Sequence, residues 1–462
     1  METASPYRCF LKGLIVSVLH LDSGKDVICM EYRIPYGKGE QVIDLPEEHV
    51  SQVLLPPVID KPRTVEELME EALARPIVTP TLDQLVEAGD KVVLIVSDIT
   101  RAWARFDLFL PILVDKLNQL GIPDKDISII IATGKHRLNS DAEKEEIIGR
   151  ELFRRIKVYD HDPATEACVY MGTTKRGTPV WINKQAAAAD KVILTGGLSP
   201  HIYAGFGGGR KSVLPGIAGV GSINHNHNMA LTDEIGGGVN PDTSIMRHFG
   251  NRLSEDMCEV ASFLNPCFMV NSIMDAEGNF YKIMAGHWYE AWLQGTKEVM
   301  KLQGVPLKAK SDVVIVSGGG YPRDISLYQG MKCYAPGAAA LKKGGILIAV
   351  LRCQDMTEPP AFFDSFRYTD LKQMELDVRA DFTVPFYVAF YMCCLARNFT
   401  IILVTEPENF ANAKKTGAVP VATLAEAWKI AEQKLAEQGK KEYTINIMPY
   451  GGDTLPVLPE EE

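Results

Sequence analysis

Short, apolar, β-branched runs recur along the chain, and each ends near a turn or a polar cluster. They read "KVVLIV" from Lys91, "ISIIIATG" from Ile127, "KVILTGG" from Lys191, "DVVIVSGGG" from Asp312 and "GGILIAV" from Gly344. Continuous apolar runs of this length are typical of strands buried on both faces, which form parallel sheets covered by helices. Helical segments such as "TVEELMEEALA" and "AEAWKIAEQKLAEQ" alternate with them. The pattern therefore predicts an α/β fold.

The chain is too long for a single ordinary core. At 462 residues it exceeds the typical domain of roughly 150 residues, so we expect two α/β domains with mostly parallel sheets and an active-site cleft between them. The boundary is placed between the helical "EAWLQGTKEVMKL" and the strand "DVVIVSGGG". This gives an N-terminal domain of residues 1–300 and a C-terminal α/β domain of residues 301–462.

Composition excludes several classes of protein. A net charge of −11 argues against a nucleic-acid-binding surface, because neutralising phosphates needs clustered Lys and Arg. No apolar segment reaches the ~18 residues that would span a bilayer, and the N-terminal "METASPYRCFLKGLIVSVLHLDSG" is better interpreted as containing a strand than as a secretory signal. Nine cysteines without CxxC spacing indicate reduced thiols rather than a zinc ribbon. A cytoplasmic protein that contacts neither nucleic acid nor membrane is expected.

Polar residues gather where the predicted strands end. "SDITRAWAR" follows "KVVLIV", and "GKHR" follows "SIIIAT". In open parallel sheets, ligands bind outside the carboxyl ends of the strands, so a functional site is expected at this edge.

A glycine-rich stretch, "GFGGGRKSVLPG", spans Gly205 to Gly216. The phosphate-binding Walker A loop requires GxxxxGK[ST], and Lys211 and Ser212 fit that pattern. Arg210, however, occupies the position of the obligatory glycine, which argues against a P-loop NTPase. The simplest alternative is a glycine-rich turn that leads into a helix and exposes two basic residues.

Four of the nine histidines lie close to this turn or to a strand end. They are His136 in "TGKHR", His201 in "SPHIYAG", and His225 and His227 in "NHNHN". Alternate residues of an extended segment point in opposite directions, so only one member of the last pair is expected to face a site, which disfavours a zinc grip by these two alone. A structural role is expected for the isolated histidines His20, His49, His248 and His287.

Taken together, five motifs resemble the lactate racemase family, the nickel-pincer-nucleotide enzymes. They are "SDITR", "TGKHR", "HIYAGFGGGRKSVLPGIAG", "NHNHN" and "GGGYPRDISLYQGMK", and they occur in order from about residue 90 to 350. The resemblance implies a racemase or epimerase of a 2-hydroxy acid, which would move the Cα hydrogen as a hydride to and from the cofactor. Enzymes that synthesise the cofactor would then be partners, beside the small-molecule substrate. The oligomeric state is left open.

The resemblance also implies roles for individual residues. Lys211 would carry the cofactor, pyridinium-3,5-bisthiocarboxylic acid mononucleotide nickel, through a thioamide, and His227 would ligate the nickel. His136 and His201 would be the two general acid/bases, since each enantiomer presents its hydroxyl on a different side and neutral histidine suits both directions. Cofactor contacts are expected from Asp98, Thr100, Gly208, Gly209 and Arg210, with Arg210 either a phosphate or a structural contact and the glycines allowing close approach of the backbone. Substrate contacts are expected from Arg101, Tyr328, Gln329 and Lys332.

The chain departs from the family pattern at several positions. Ala102 replaces a usual proline, "LSPH" lacks a glutamate that often precedes the histidine, and Tyr387 stands for a pocket tryptophan. Arg323 and Arg352 are unexpected beside a lactate pocket. If either faces the site, a larger substrate such as malate, 2-hydroxyglutarate or a sugar acid is indicated, whereas the alternative is that both pair with surface acids.

Two other functions compete with this interpretation. The first is a zinc-dependent hydrolase or lyase that uses the histidine cluster, which would require a carboxylate base near His227. The second is a non-catalytic carrier of the pincer nucleotide, which would need neither His136 nor His201. Because the sequence retains both histidines and the substrate cations, the racemase is favoured.

Overall fold

A computed structural model gives the fold of residues 28–57 and 63–458, together with the backbone of Ile15–Val16. That two-residue strand falls within the N-terminal run predicted to contain a strand, whereas the rest of that run and His20 lie outside the described residues.

The strands of the described residues are β1 (Ile15–Val16), β2 (Cys29–Tyr36), β3 (Gly39–Pro46), β4 (Val50–Val53), β5 (Val92–Ser97), β6 (Ile127–Ala132), β7 (Lys157–Asp160), β8 (Cys168–Thr173), β9 (Pro179–Asn183), β10 (Lys191–Gly197), β11 (Pro200–His201), β12 (Gly205–Phe206), β13 (Phe268–Met274), β14 (Phe280–Gly286), β15 (Gly304–Pro306), β16 (Ser311–Ser317), β17 (Leu341–Val350), β18 (Thr400–Val404), β19 (Val419–Val421), β20 (Ile445–Met448) and β21 (Leu455–Val457).

The helices are α1 (Val65–Ala74), α2 (Leu82–Leu85), α3 (Phe106–Gln119), α4 (Asp141–Ile148), α5 (Arg150–Arg155), α6 (Lys184–Ala187), α7 (Val220–Asn228), α8 (Arg252–Leu264), α9 (Glu290–Gln303), α10 (Leu327–Gly330), α11 (Tyr334–Ala339), α12 (Pro360–Phe363), α13 (Leu371–Ala380), α14 (Val384–Asn398), α15 (Phe410–Lys415) and α16 (Leu424–Glu437). Each of the five apolar runs quoted above forms a strand, and both helical segments form helices, as the patterns predicted.

The chain forms two compact units whose limits differ from the expected domains. Among the described residues, those from 63 to 301 form one unit, and those from 28 to 57 pack with those from 302 to 458 in the other. The observed division after residue 301 lies beside the expected one, but the N-terminal segment belongs to the second unit. The reason is packing, because Ile34 of β2 and Ile43 of β3 join the same core as Val313 and Ile346, and β4 pairs with β20.

The unit of residues 63–301 contains a six-stranded sheet in the order β14-β13-β10-β5-β6-β7. All neighbours are parallel except β13 and β14, which run antiparallel. Every residue from Val92 to Val96 is buried, as expected for a central strand covered on both faces. Helices α1 and α3 contribute Leu68 and Phe109 to the core beside these strands. The polar clusters after β5, β6 and β10 therefore share one edge of the sheet.

The second unit contains a six-stranded, fully parallel sheet in the order β19-β18-β17-β16-β20-β4. The hairpin β2–β3 and helix α16 pack against it through residues such as Tyr32, Leu45 and Leu424. The prediction of two α/β units with mostly parallel sheets is confirmed. None of the helices in the described residues is both long enough and apolar enough to cross a bilayer.

Replacing Ile34 by alanine tests the assignment of the N-terminal hairpin. Ile34 is completely buried, so Ile34→Ala should lower the free energy of unfolding of the second unit by about 2–5 kcal/mol. Amide hydrogen exchange should then accelerate in β16 and β17 and stay unchanged in β5. The matched control Ile129→Ala, in β6, should show the reverse pattern. Unchanged exchange in β16 of Ile34→Ala would contradict the assignment.

Candidate active site

The glycine-rich stretch folds into a tight loop at the carboxyl end of β10. Its first residues, in β12, pair with β11, and Gly209–Ser212 form one turn of 3-10 helix. Gly208 and Gly209 have φ angles of +66° and +49°, in the left-handed region that favours glycine. A Cβ on Gly209 would lie 2.6 Å from Cδ1 of Trp292, and the Gly209 N–H donates to Oδ1 of Asn271 at 2.7 Å. These glycines thus serve the packing of the loop against the protein, which is a different reason from the expected approach of a cofactor.

Arg210 is a structural cation inside the protein. Its side chain is fully buried, and its guanidinium donates to the carbonyl oxygens of Phe206 at 3.0 Å and Ala204 at 2.8 Å and to Oγ of Ser254 at 2.7 Å. The guanidinium also stacks on the ring of Trp292, 3.8 Å from its centroid. Of the two expected roles, the structure favours the structural contact over the phosphate contact. The alternative of two exposed basic residues does not hold, because Arg210 lies inside the protein.

Lys211 points at His201. The Lys211 Nζ lies 2.8 Å from His201 Nε2, and the Ala204 N–H donates to His201 Nδ1 at 3.2 Å. A neutral imidazole carries only one N–H. Because His201 Nδ1 accepts the Ala204 N–H, the ring proton lies on Nε2, which donates it to the Lys211 amine. Burial and the positive charges of Arg101 and Arg210 hold the pKa of Lys211 well below its usual range. Hydrogen bonding and electrostatics agree that Lys211 is a neutral amine.

The ring of Tyr203 joins the residues of this cluster. It meets the His201 ring edge-on with centroids 4.5 Å apart and the His227 ring at 5.5 Å, and Lys211 Nζ lies 5.4 Å from its centroid. Tyr203 is fully buried and His227 nearly so. Burial is the main cause that lowers the pKa of His227, to about 3. The imidazole is therefore neutral at physiological pH, which is the form that binds metals.

His225 and His227 lie in helix α7 rather than in the extended segment that the sequence suggested. Residues two apart in a helix point about 200° apart, so the conclusion that the two histidines face different ways stands for a different reason. His225 is exposed and hydrogen-bonds Oγ1 of Thr178 at 2.8 Å, whereas His227 faces the Tyr203 ring.

His136 is oriented by a carboxylate. Its Nδ1 lies 2.5 Å from Oδ2 of Asp98, and Oδ1 of Asp98 accepts from Oγ1 of Thr100 at 2.5 Å and from the Thr100 N–H at 3.2 Å. Burial opposes the charge on Asp98, but the hydrogen bonds from His136 and Thr100 outweigh it and lower the pKa of the carboxyl. With the Nδ1 proton held, the His136 Nε2 lone pair is directed away from Asp98. Asp98 and Thr100, expected to contact the cofactor, instead hold His136 in place here.

Arg101 follows the same strand end. Its guanidinium donates to the carbonyl oxygen of Thr100 at 3.2 Å and to the Thr100 hydroxyl at 3.1 Å, and none of the described acidic side chains forms an ion pair with it. It is half-buried. Arg101 therefore retains donors for an incoming carboxylate, as expected for a substrate contact.

The other predicted substrate contacts lie in the second unit. Lys332 Nζ donates to Oε1 of Gln329 at 2.6 Å, and the Tyr328 ring packs 5.1 Å from that of Phe362. Tyr387, which stands for a pocket tryptophan, is fully buried and stacks on Phe382. These residues share one unit, with Gln329 and Lys332 in direct contact.

The two unexpected arginines are paired with acids. Arg323 lies 2.9 Å from Asp453, and Arg352 lies 2.9 Å from Glu406. The alternative in which both pair with acids therefore describes the structure.

Three of the histidines expected to be structural pack against or hydrogen-bond neighbouring residues. His49 stacks on Tyr443, His287 accepts the Glu290 N–H, and His248 packs against Trp292.

Comparison with known proteins supplies the family. Residues 36–237 match the lactate racemase N-terminal domain, and residues 307–453 match the lactate racemase C-terminal domain. The chain is 32% identical over 426 residues to the lactate racemase of Thermoanaerobacterium thermosaccharolyticum, covering 90% of this chain and 97% of the relative. The chain belongs to the lactate racemase family.

Other comparisons agree with this assignment. The lactate racemase of Lactiplantibacillus plantarum is 31% identical over 68% of this chain and 72% of its own. The structure of the lactate racemase apoprotein from T. thermosaccharolyticum matches with a TM-score of 0.80 at 31% identity, over 93% of this chain and 100% of that one. A Thermotoga maritima protein, at 18% identity and a TM-score of 0.57, supports the fold alone. The predicted family and enzyme class, an isomerase of the racemase type, are confirmed.

Sequence reasoning missed several residues of this candidate site. Asn271 and Trp292 are buried, and no local motif signals that they meet the glycine loop, whereas Tyr203, also buried, lies inside the quoted motif but was given no role. The contact between Asp98 and His136 could have been anticipated, because β5 and β6 are adjacent parallel strands and both residues follow their carboxyl ends. His161, which bridges to the carbonyl of Ala218 at 3.0 Å, gave no signal either.

His248 should make the glycine loop sensitive to acid. Its Nδ1 contacts Ser254 Oγ at 2.9 Å, and burial, followed by the charge of Arg210, lowers its pKa to about 4. Because the unfolded pKa is ~6.5, the stabilisation from neutral His248 is complete above about pH 6.5 and is lost as the pH falls towards 4. The loss is on the order of 3 kcal/mol.

Urea unfolding at several pH values tests this expectation. Between pH 6.5 and 4, the free energy of unfolding should fall less in His248→Gln than in the wild type, and the difference should be on the order of 3 kcal/mol. This comparison does not depend on how much the substitution itself destabilises the protein. The control Val260→Ala removes buried apolar atoms from the same unit and no ionisable group, so it should keep the wild-type dependence. Equal slopes in His248→Gln and wild type would contradict the assignment.

Proposed function

We propose that the protein racemises a small 2-hydroxy acid, with lactate as the first candidate, by using a nickel-pincer nucleotide attached to Lys211. The observation that carries the proposal is the position of the Lys211 amine. It lies 2.8 Å from His201 Nε2 and 5.4 Å from the centroid of the Tyr203 ring, which the His227 ring also meets. The two relatives named lactate racemase support the substrate.

Lys211 fits the attachment. A lysine amine is nucleophilic only when unprotonated, and burial beside other cations favours that form. Lys211 forms no ion pair with any described acid, and its hydrogen-bond partner in the structure is His201. These features are those of a reactive lysine rather than of a surface charge.

His227 fits a nickel ligand that is completed by donors from outside the protein. Neutral imidazole is a suitable ligand for Ni(II) beside sulfur donors. Among the described residues, no three His, Cys, Asp or Glu side chains lie close enough together to hold a metal ion. This arrangement agrees with a cofactor that brings its own donors, and it gives no support to the zinc hydrolase or lyase, which needs three protein ligands.

When bound, the pincer nucleotide supplies an acceptor and donor for the Cα hydride. The protein supplies the proton chemistry. In one direction the His136 Nε2 takes the hydroxyl proton, while Asp98 holds the Nδ1 proton and stabilises the resulting imidazolium. His201 is the second acid/base, for the enantiomer whose hydroxyl lies on the other side.

Arg101 is proposed to bind the substrate carboxylate, and Gln329 and Lys332 are proposed as further substrate contacts. Arginine grips a carboxylate through two parallel hydrogen bonds. Arg323 and Arg352, each beside an acid, leave no reason to invoke a second substrate carboxylate. A monocarboxylic substrate is therefore favoured over malate or 2-hydroxyglutarate.

Lys211→Arg is the direct test of the attachment. Arginine has a similar length but lacks a primary amine, so the variant should show no cofactor adduct by intact-mass spectrometry after co-expression with the cofactor's biosynthetic enzymes. It should also leave either pure lactate enantiomer unchanged. The control Lys175→Arg, at an exposed site of the same unit, should carry the adduct and racemise. An adduct of unchanged mass on Lys211→Arg would refute the attachment site, and a wild type without adduct or racemisation would refute the proposed function.

Asp98→Asn tests the pairing with His136. The amide does not stabilise the imidazolium and lets the ring take the wrong tautomer, so kcat should fall roughly 100-fold or more. The adduct and nickel content should match those of the wild type. Asp107→Asn, which removes the partner of Arg105 in the same unit, is the control and should keep wild-type kcat. Loss of the adduct in Asp98→Asn would instead restore the expected cofactor contact, and unchanged kcat would exclude both roles.

A further inference from the structure

Asp256 is a fully buried carboxylate held by neutral donors. It lies in helix α8 and accepts from Oγ1 of Thr174 at 2.6 Å, from Oγ1 of Thr178 at 2.7 Å and from Nδ2 of Asn226 at 2.8 Å. Thr174 and Thr178 lie at the turn between β8 and β9, and Asn226 lies in α7. One carboxylate thus ties together three elements that are separated in the sequence.

These contacts converge on the part of α7 that carries the candidate nickel ligand. Asn226 immediately precedes His227, and its Nδ2 also donates to the Leu253 carbonyl at 3.1 Å. Thr178 is also hydrogen-bonded to His225, because the Thr178 Oγ1 lies 2.8 Å from His225 Nδ1. The two residues before His227 are therefore both linked to Asp256, one directly and one through a hydroxyl.

The direction of the hydrogen bonds makes this link specific. A carboxylate only accepts, and all three partners present donors to it. Since the Thr178 hydroxyl donates to Asp256, it accepts from His225 Nδ1, which fixes the tautomer of that ring. Asp256→Asn would place an NH₂ group against one or more of these donors. It would therefore break this set of hydrogen bonds without a change in side-chain volume.

We infer that Asp256 is a positioning residue that fixes α7 and thereby the direction of the His227 imidazole. The contacts that orient a metal-binding histidine commonly change metal affinity by an order of magnitude or more when they are removed. The inference rests on the proposed function for the identity of the metal. Its structural part, the fixing of α7 by Asp256, stands on the hydrogen bonds alone.

Asp256→Asn is the variant that tests the inference, with Val260→Ala as its control. Val260 lies one turn further along α8 and is fully buried, so its truncation destabilises the same helix without touching the hydrogen bonds to α7. In the protein without cofactor, amide hydrogen exchange of residues 220–228 should accelerate at least tenfold in Asp256→Asn relative to Val260→Ala. Equal exchange in the two variants would overturn the inference whether or not nickel is the metal.

The cofactor-loaded protein gives the second measurement, which is the ratio of nickel to Lys211 adduct in the folded fraction. In Asp256→Asn the adduct should remain while the nickel dissociates about tenfold faster than in Val260→Ala. A wild type that bears neither adduct nor nickel would refute the proposed function and leave the exchange result to decide on Asp256. If cofactor-loaded Asp256→Asn retains nickel as well as Val260→Ala does, the inference that Asp256 positions His227 is overturned.

If Asp256→Asn does not fold, Thr178→Val replaces it. This substitution removes one hydrogen bond to Asp256 and the link to His225. Thr174→Val removes one hydrogen bond to Asp256 and the acceptor of the Thr178 N–H, but it leaves the hydroxyl that links Asp256 to His225. Faster exchange of α7 and faster nickel loss should occur in Thr178→Val and be weaker in Thr174→Val. Equal effects of the two substitutions would show a general loss of packing and would overturn the inference.

Discussion

The geometry of the candidate site depends on the buried guanidinium of Arg210, which forms no ion pair with any acidic side chain of the described residues. Two backbone carbonyls, a serine hydroxyl and the face of Trp292 take the place of a carboxylate partner. Such an arrangement is costly, because neutral dipoles replace the hydration of the ion only in part. Its burial is accompanied by a pKa lowered to about 10. The cost is tolerated because the fork of donors fixes the loop that carries Lys211.

The retained charge also acts on its neighbours. Arg210 and Arg101 both disfavour a further positive charge nearby, so Lys211 and His201 stay neutral. In a protein with a net charge of −11, this edge of the sheet is a local concentration of cationic groups. An anionic substrate or a phosphate-bearing cofactor meets electrostatic attraction there. The buried Arg210 thus has three effects: it fixes the glycine loop, it disfavours protonation of the Lys211 amine, and it favours anionic ligands.

The sequence was sufficient to predict strands β5, β6, β10, β16 and β17, but less so to predict the partners of the side chains that are proposed to carry the chemistry. The apolar runs predicted these strands because a strand covered on both faces has no polar alternation. The partner of His136 depends on two strands being neighbours, and the burial of Arg210 depends on Trp292, which is 82 positions away in the sequence. Such long-range contacts leave no local pattern. The N-terminal hairpin was misassigned for the same reason, since only tertiary packing places Ile34 beside Val313.

The two proposed acid/bases are chemically unequal. His136 is hydrogen-bonded to the Asp98 carboxylate, whereas His201 lies against the Lys211 amine, and burial together with nearby positive charges lowers the pKa of His201. For a substrate with a single stereocentre the enantiomers are equal in free energy, so kcat/KM must be the same in both directions however unequal the bases are. The asymmetry can therefore enter only as compensating differences in kcat and KM. A site whose two bases have such different partners would bind one enantiomer more tightly and release it more slowly, without violating the symmetry of the reaction.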